Sequence, residues 1–304
     1  MKVLIVCSGT KGILSPFIKE QMDALIKYGI EVFLFQITQK GLLGYLSHFF
    51  SLNKTISKHN PDIIHAHYGL SGLLANLQRS VPVITTYHGS DINNDKVFRI
   101  SRLAIMLSKH NIFVSQKNID KAKVRKRYSL IPCGVDTSLF YPREKMACRE
   151  KMNLMVDKNY VLFSGSFDNE VKNPSLAHAA VAEIENLELI ELKGYTREQV
   201  ACLMNAVDVC LMTSHSEGSP QFIKEAMACN CPIVSVDVGD VKEIIGQTKG
   251  CVVVNINQAK LIKEKIVYLL SLNDRTNGNE RIESLAISLD EVAQKIKELY
   301  TVVK

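Results

Sequence analysis

Short apolar runs alternate with amphipathic segments along the first half of the chain. The segment from Phe17 to Tyr28 is an example, because Ile18, Met22 and Leu25 fall on one face of a helix. Strands and helices that take turns in this way are typical of a parallel sheet covered by helices on both faces. The predicted strands of this half are 3–6, 31–36, 63–66, 83–86, 112–115 and 129–131.

The second half continues the same alternation up to a final amphipathic segment, in which Val292, Ile296 and Leu299 share one face. Between the halves, Pro132-Cys133-Gly134 interrupts the pattern and charged sequence follows it. We therefore place a domain boundary near Arg143. The predicted α/β organisation is a first domain over 1–142, a second over 143–288 with strands at 160–164, 187–192 and 209–212, and a C-terminal helix over 289–304.

The segment from Val209 to Ile233 carries the clearest local signals. A buried strand and a polar loop come first, and Pro220 then suits the first turn of a helix, where the N–H that it lacks would be unpaired. Ser219 is a good helix N-cap, and Asn230 tolerates the left-handed backbone that ends a helix. These signals predict a helix over 220–229.

Glu217 and Glu225 frame this predicted helix, eight positions apart. Glu217 would lie beside the exposed N–H groups of the first turn, and Glu225 would lie in the second turn. An anion or a sugar hydroxyl placed there would meet backbone donors and carboxylate acceptors. The alternative is that both carboxylates are solvated, which is the usual fate of acidic residues at such positions.

Ligands of parallel α/β sheets bind at the carboxyl ends of the strands, so the loops at those ends are candidate sites. The loop from Cys7 to Gly12 is either an ordinary turn or a place where backbone approaches a phosphate or acceptor. His88 precedes Gly89 at the carboxyl end of another strand. It is either a functional residue or a turn residue whose hydrogen bonds are satisfied within the protein. His65 and His67 share one strand face, but no third ligand is apparent and we predict no metal site.

Composition narrows the class of protein. A chain of 304 residues, 46% of them hydrophobic, is long enough to build two cores. The net charge of +6 is too small and too dispersed to indicate nucleic-acid binding. Eight cysteines in apolar surroundings favour reduced thiols over a disulfide framework. Because neither a signal peptide nor an apolar segment of about 20 residues is seen, we expect a cytoplasmic protein.

Two further segments have either a structural or a binding role. The apolar stretch from Lys40 to Ser51, with Leu43 and Phe50, is a helix packed on its own sheet or a face that contacts lipid or the acceptor. The basic run from Lys121 to Arg127 lies on a predicted helix. It is either a solvated face or a surface for lipid phosphates.

The segment from Glu217 to Val234 resembles the E-x7-E signature of family 4 retaining glycosyltransferases, which have the GT-B fold. His88-Gly89 is similar to a second motif of that family, and the stretch from Cys133 to Pro142 is similar to a third, N-G-V-D…F-x-P. The resemblance covers nearly the whole chain. It implies two Rossmann-like parallel-sheet domains that face each other across a cleft, with the last helix crossing back to the first domain.

The resemblance also implies roles for single residues. Glu217 would orient the donor sugar, His88 would face that sugar, and Lys172 would bind the diphosphate, so these residues are the expected catalytic group. Glu225 would bind the ribose hydroxyls of the nucleotide. The donor-binding residues expected on the same ground are Gly12, Gly165, Ser166, Lys172, Tyr195, Gly218, Ser219, Pro220, Gln221 and Glu225.

Three positions depart from the family pattern. Cys133 replaces an Asn, Ser166 replaces an Arg that binds the diphosphate, and Asp240 replaces the second Gly of a D-x-G-G-x-x-E segment. Stabilisation of the leaving group would then depend on Lys172 and on backbone N–H groups.

The implied activity is hexosyl transfer of class EC 2.4, metal-independent and with retention at the anomeric carbon. The donor would be a UDP- or GDP-linked sugar, so no cofactor is expected. The acceptor would be a hydroxyl of a glycan or lipid-linked saccharide, in polysaccharide or cell-envelope synthesis, with peripheral contact at the inner membrane face. The alternatives are a noncatalytic GT-B scaffold, suggested by Ser166, and a nucleotide-sugar epimerase; a dehydrogenase is disfavoured because its fingerprint glycines are missing.

Overall fold

The structure, a computed structural model, describes residues 1–9, 14–255 and 257–304. The described part of the chain divides into two compact units. Unit 1 comprises Met1–Gly134 with Leu289–Lys304, and unit 2 comprises Val135–Ser288.

The passage from unit 1 to unit 2 lies between Gly134 and Val135, whereas the sequence predicted a boundary near Arg143. The reason is that the intervening residues are already held by unit 2. The N–H of Val135 donates to the carbonyl of Ile287 at 3.0 Å, and the side chain of Phe140 is buried in the core of unit 2.

Each unit contains a parallel sheet. In unit 1 the strands are Lys2–Ser8 (β1), Glu31–Ile37 (β2), Ile63–His67 (β3), Val83–Tyr87 (β4), His110–Phe113 (β5) and Tyr128–Leu130 (β6). In unit 2 they are Asn159–Phe163 (β7), Leu187–Glu191 (β8), Val209–Met212 (β9), Ile233–Val236 (β10) and Cys251–Val254 (β11). Among the described residues the strand orders are β2-β1-β3-β4-β5-β6 and β11-β10-β9-β7-β8. Two parallel sheets of this kind confirm the predicted fold class, although β5 lies slightly earlier than the predicted 112–115.

The helices connect the strands and cover both faces of each sheet. The helices of unit 1 that precede Val135 in the chain are Pro16–Lys27 (α1), Gly41–Leu46 (α2), Phe49–His59 (α3), Gly69–Asn76 (α4), Ser90–Asn93 (α5), Asp95–Leu107 (α6) and Gln116–Ala122 (α7). Those that follow are Lys145–Lys151 (α8), Pro174–Val181 (α9), Arg197–Ala206 (α10), Gln221–Ala228 (α11), Val241–Ile245 (α12), Ala259–Leu272 (α13), Gly278–Ser284 (α14) and Leu289–Val303 (α15).

The core of unit 1 has a layer on each face of its sheet. On one face, Ile18 and Leu25 of α1 pack with Ile296 of α15 against the strands. On the other face, Leu52 of α3 and Leu74 of α4 cover β1 and β3. Because both faces are covered, β3 and β4 are buried along their whole length, which explains why they read as short runs without alternating exposure.

Unit 2 repeats this layering. Met204 of α10 and Ile223 of α11 pack on one face of the sheet. Ala177 of α9, with Ile262 and Ile266 of α13, packs on the other. The strand ends that carry the candidate site are therefore fixed by cores on both sides.

Helix α11 begins at Gln221, with Pro220 at the N-cap position, and ends at Ala228. The predicted stop signal is confirmed, because Asn230 has a φ of 55°. The predicted cap is wrong. The hydroxyl of Ser219 donates to Oδ2 of Asp240 at 2.5 Å, so a tertiary partner takes the side chain that would otherwise have bonded the helix N-terminus.

Two helix predictions of unit 1 need correction. The stretch from Lys40 to Ser51 forms parts of two helices, α2 and α3, which are separated at His48. The basic run from Lys121 to Arg127 is mostly outside a helix, because α7 ends at Ala122 and Lys123 adopts a left-handed φ of 53°.

Candidate functional site

In unit 2, several loops with candidate residues leave the carboxyl ends of neighbouring strands. The loop after β7 contains Gly165 and Lys172, and the loop after β9 contains Glu217. The chain between β8 and α10 contains Tyr195, and Asp240 follows β10. Because β8, β7, β9 and β10 are neighbours in one parallel sheet, these loops lie along the same edge.

Lys172 and Glu217 form an ion pair at this edge. Nζ of Lys172 lies 2.7 Å from Oε1 of Glu217, and both side chains are mostly buried. The hydroxyl of Thr213 donates to the carbonyls of Lys172 and Asn173, at 3.0 and 2.9 Å, and so fixes the turn that presents the lysine. The structure thus brings together two of the predicted catalytic residues.

Gly165 makes room for the lysine. A Cβ at this position would lie 2.7 Å from Cγ of Lys172, which is closer than such atoms approach one another. The next residue, Ser166, donates to Oδ1 of Asp168, and Asp168 accepts from Nζ of Lys193 at 2.8 Å. Ser166 is therefore engaged with its own loop, and the cation nearest to it in this network is the exposed Lys193.

The loop from Glu217 to Pro220 rests on the segment that follows β10. Gly239 has a φ of 57°, and a Cβ there would lie 2.5 Å from the carbonyl oxygen of Gly218. The backbone of the Gly218 loop can approach only because Gly239 lacks a side chain. The hydrogen bond from Ser219 to Asp240 adds a side-chain tie between the same two segments.

Glu225 is nearly completely buried inside α11 and is paired with a basic side chain. Its Oε1 lies 2.7 Å from Nη2 of Arg197, whose guanidinium also lies 4.6 Å from the ring centre of Phe140. A buried carboxylate without such a partner would be costly. Sequence reasoning missed Arg197, because its proximity to Glu225 comes from the packing of two successive helices, α10 and α11, which no local pattern specifies.

Asp240 and Lys224 form a buried polar group beneath the loop. Burial raises the pKa of Asp240, and the charge of Lys224 and the Ser219 hydrogen bond oppose that shift. Lys224 is completely buried and donates to Oε1 of Gln221 at 2.9 Å. The replacement of the family glycine by Asp240 was a signal of this group, although its partners could not be read from the sequence.

In unit 1, His88 follows β4 and contacts the strand beside it. Its Nε2 lies 3.0 Å from Nδ1 of His67, and its Nδ1 lies 3.5 Å from Sγ of Cys133. The carboxylate of Asp91 accepts the backbone N–H groups of His88 and Gly89, each at 3.0 Å, and so fixes the turn. Sequence reasoning missed Asp91 and the contact between His67 and His88.

His65 bonds within the core instead of binding a metal. Its Nδ1 lies 2.6 Å from the hydroxyl of Tyr300 and its Nε2 lies 2.7 Å from the hydroxyl of Thr86. Over the described ranges, no group of three or more His, Cys, Asp and Glu side chains is arranged to hold a metal ion.

The remaining predicted residues are placed as follows. Tyr195 is partly exposed before α10, and Gln221 is the first residue of α11 and bonds to Lys224. Gly12 lies outside the described residues. The unit 2 residues can offer the ammonium group of Lys172, carboxylate acceptors and the N-terminal N–H groups of α11 to one ligand at the sheet edge.

Two family models match this sequence. The model for Glycosyltransferase Family 4 matches residues 2–139, and that for Glycosyl transferases group 1 matches residues 157–272. The chain belongs to the family 4 glycosyltransferases. The first match lies almost entirely in unit 1, and the second lies in unit 2. These matches confirm the family resemblance seen in the E-x7-E segment.

A curated relative is the putative teichuronic acid biosynthesis glycosyltransferase TuaC from Bacillus subtilis, which is 27% identical over 245 residues. The match covers 69% of this glycosyltransferase and 60% of TuaC, so the chain spans less than two thirds of that relative. Relatives of this kind are glycosyltransferases by name.

Solved structures share the fold. Sucrose-phosphate synthase from Thermosynechococcus elongatus has a TM-score of 0.85 at 18% identity, covering 99% of this chain and 98% of that one. HepE from Anabaena in complex with UDP has a TM-score of 0.78 at 15% identity, covering 99% and 100%. At these identities the likeness concerns the fold, and it confirms the GT-B class. No helix of the described chain has the length and apolar character needed to cross a bilayer.

Proposed function

We propose that this glycosyltransferase moves a sugar, with retention, from a nucleotide-diphosphate sugar to a hydroxyl acceptor. The observation that carries the proposal is the arrangement at the unit 2 sheet edge. There the Lys172–Glu217 pair lies on the loops after β7 and β9, and α11 with the buried Glu225 follows. A cation, an acceptor for hydroxyls and a helix N-terminus are the groups that an activated sugar diphosphate requires.

In this proposal Lys172 stabilises the negative charge that develops on the departing diphosphate. Glu217 holds Lys172 in place before the donor binds and then accepts a hydrogen bond from the sugar. The buried Glu225, fixed by Arg197, accepts the ribose hydroxyls. Charge stabilisation by groups that are already oriented is the main means by which such sites lower a barrier.

The mechanism needs no metal ion, because Lys172 and the first N–H groups of α11 supply positive potential to the leaving group. The proton of the acceptor hydroxyl passes to a phosphate oxygen of the donor as the glycosidic bond to the diphosphate breaks. The new bond then forms on the same face of the sugar, so the configuration at the anomeric carbon is retained.

The proposed acceptor is a glycan or lipid-linked saccharide, and the proposed location is the cytoplasm with peripheral contact at the inner face of the membrane. The name of TuaC, which refers to teichuronic acid biosynthesis, supports an acceptor from cell-envelope glycan synthesis. Unit 1 also exposes large apolar side chains, since Leu43 and Phe50 are 83% and 82% exposed. Such side chains can enter the interface of a bilayer.

The test is to incubate the protein with UDP- and GDP-linked sugars and to follow both thermal stabilisation and release of nucleotide diphosphate. A donor in excess over its Kd raises the melting temperature. We expect stabilisation and slow diphosphate release with donors of one base, and weaker stabilisation with much slower release in Lys172→Ala. If no nucleotide sugar stabilises the unmutated protein, the proposal fails.

A noncatalytic scaffold remains the second candidate, because Ser166 stands where the family has a diphosphate-binding Arg and its hydroxyl is occupied by Asp168. The same assay separates the two. Stabilisation by a nucleotide sugar without any release of diphosphate, with acceptors present, would favour the scaffold.

A further inference from the structure

A stack of histidine rings runs from the core of unit 1 to its surface. The ring centres of His65 and His67 lie 4.6 Å apart at 22°, and those of His67 and His88 lie 5.2 Å apart at 17°. His65 and His67 are completely buried, whereas His88 is partly exposed. The outer ring, which is the predicted functional one, is therefore supported from below by buried imidazoles.

The members of the stack differ in their hydrogen bonds. Both ring nitrogens of His65 are occupied, by the hydroxyls of Tyr300 and Thr86. Nδ1 of His67 lies 3.0 Å from Nε2 of His88, but Nε2 of His67 is buried without a hydrogen-bond partner in the described chain. Nδ1 of His88 lies 3.5 Å from Sγ of Cys133.

The hydrogen bonds of the outer pair can run in two directions. In the first, Nδ1–H of His67 donates to Nε2 of His88, and Nδ1–H of His88 points at the sulfur of Cys133, a weak acceptor. In the second, every proton is reversed, and the Nε2–H of His67 is left buried without an acceptor. An imidazole nitrogen that lacks a partner loses less as a lone pair than as a strongly polar N–H, so the first direction is favoured.

We propose that His67 is a positioning residue that holds His88 as the neutral tautomer protonated at Nδ1. The Nδ1–H of His88, which faces the weak acceptor Cys133, is then the group that a sugar hydroxyl can take over, so His88 offers a hydrogen-bond donor and not a general base. The inference rests on the proposed function, since it specifies how the predicted sugar-facing residue is prepared. The contact between His67 and His88 itself lies within unit 1.

The same contact keeps His88 uncharged. A doubly protonated His88 would donate through Nε2, which would force the proton of His67 onto its buried, unpartnered Nε2. Burial lowers the pKa of His67 to about 3, so His67 itself remains neutral at ordinary pH. Among the described residues, the titratable groups around the His67–His88 pair include His65, Tyr68, Asp91, Cys7, Cys133 and Tyr300.

Asp91 does not draw a proton onto the ring of His88, because its carboxylate accepts backbone N–H groups of Gly69, His88 and Gly89, each at 3.0 Å. Burial raises the pKa of Asp91 to about 6, and these backbone hydrogen bonds oppose the shift. Burial also raises the pKa of Tyr68, so the phenol beside His88 stays neutral.

The experiment is a long-range 1H–15N correlation spectrum of protein labelled with 15N-histidine, in which protonated and unprotonated ring nitrogens have well-separated shifts. The His88 signals are assigned by their loss in His88→Asn. We expect an unprotonated Nε2 and a protonated Nδ1 for His88 in the unmutated protein. A protonated Nε2 on His88 would overturn the proposal without any variant having to fold.

Matched variants test the consequence. His67→Phe keeps a ring in the stack but removes the donor, and His67→Asn returns an N–H near the former Nδ1. We expect His67→Phe to mix the two His88 tautomers and to lower kcat/KM for the donor about tenfold, the size of one hydrogen bond, with KM for the acceptor unchanged. His67→Asn should recover most of that loss.

His65→Phe is the control, because it removes an equally buried imidazole that makes no hydrogen bond to His88. It should lower stability and leave the His88 tautomer as it was. Equal spectra in His67→Phe and the unmutated protein would refute the positioning role. If the unmutated protein transfers no sugar, the proposed function fails, and the spectra still decide whether the hydrogen bond exists.

Discussion

At the scale of residues, the proposed mechanism gives the ion pair of Lys172 and Glu217 a role both before and after the donor binds. Both side chains are mostly withdrawn from water, with 22% and 17% of their surface exposed, so the pair is only partly screened by solvent. A diphosphate would compete with Glu217 for the lysine, and the freed carboxylate would then be available to a sugar hydroxyl. In the proposed mechanism, the pair thus couples binding of the diphosphate to binding of the sugar of the same donor.

We predict that Lys172→Ala lowers kcat for sugar transfer by about a hundredfold, the range found when one group that stabilises developing charge is removed. Lys172→Arg keeps the charge and is the matched control, expected to retain a larger share of the activity. The measurement is the steady-state rate of diphosphate release at saturating donor. An unchanged kcat in Lys172→Ala would remove the lysine from the mechanism.

The pair of Arg197 and Glu225 is predicted to be structural as well as functional. Arg197→Gln leaves Glu225 buried without its counter-ion, and we expect a loss of about 3 kcal/mol in the free energy of unfolding, the low end for broken buried pairs because Arg197 is partly exposed. The double variant Arg197→Gln with Glu225→Gln should recover part of that loss. Urea unfolding of the four proteins in a double-mutant cycle measures it, and purely additive effects would contradict the pairing.

At the scale of elements, helices α2 and α3 depart from the pattern of amphipathic helices that bury their apolar side chains. Leu43 of α2 and Phe50 of α3 are almost fully exposed, although Tyr45 and Leu52 of the same helices enter the core. These exposed apolar side chains are the observation on which the proposed contact with a membrane rests.

We predict that Leu43→Glu with Phe50→Glu lowers binding to vesicles of phosphatidylglycerol and phosphatidylethanolamine at least about tenfold. The reason is that two apolar side chains that would enter the bilayer are replaced by charges that the anionic surface repels. The melting temperature should stay nearly constant, since neither side chain is part of the core. Co-sedimentation with vesicles gives the binding. Val302→Glu, on α15, is the control, because Val302 is equally exposed at 82% and lies outside these helices.

At the scale of the whole molecule, buried histidines make stability depend on pH. Burial lowers the pKa of His67 to about 3 and holds that of His65 well below its usual value. Both are neutral in the folded state but take up protons on unfolding once the pH falls below their ordinary pKa of about 6.5. Their contribution to stability is therefore complete above that pH and is lost as the pH falls toward about 3.

Asp91 acts in the opposite sense. Its pKa is raised to about 6, so between its ordinary value near 4 and about 6 the folded state holds a proton that the unfolded state has released. Its contribution to stability therefore grows as the pH falls through that window, and it offsets part of the histidine effect.

We predict that His67→Phe reduces the dependence of unfolding free energy on pH by about 1.4 kcal/mol per pH unit between about pH 4 and 6, because one proton fewer is taken up on unfolding. The measurement is urea unfolding at a series of pH values for both proteins. Asp91 and all exposed carboxylates are present in both proteins, so the difference between the two pH curves reports the proton taken up by His67. Parallel curves would show that His67 is protonated in the folded state.

Much of the fold was predictable because its signals are local. The strands β1 to β4 were predicted within a residue or two at each end, since short runs rich in apolar and β-branched residues between polar segments mark strands. The end of α11 at Asn230 was also local, because the left-handed backbone favours few residue types. The basic run failed as a helix because the chain turns at Lys123, which carries no such signal.

The candidate site was predictable to the extent that one segment carries it. Glu217, Glu225 and Lys172 could be named from the family motif, whereas Arg197 and Asp91 could not. Arg197 reaches Glu225 from a helix 28 positions away, and the acceptor role of Asp91 depends on backbone N–H groups of two separate loops. The cap assigned to Ser219 failed for the same reason, since Asp240 approaches it only in the folded unit.

The amino-acid sequence by itself determined the alternation of strands and helices, the two parallel sheets and the segments from which a sugar-transfer site could be built, because periodicity, caps and motifs act over a few residues. The tertiary structure alone decided which charges are paired, where the chain leaves unit 1 and which ring nitrogens meet. Those outcomes depend on distances between elements far apart in the chain, and burial then fixes the protonation of the groups that come together.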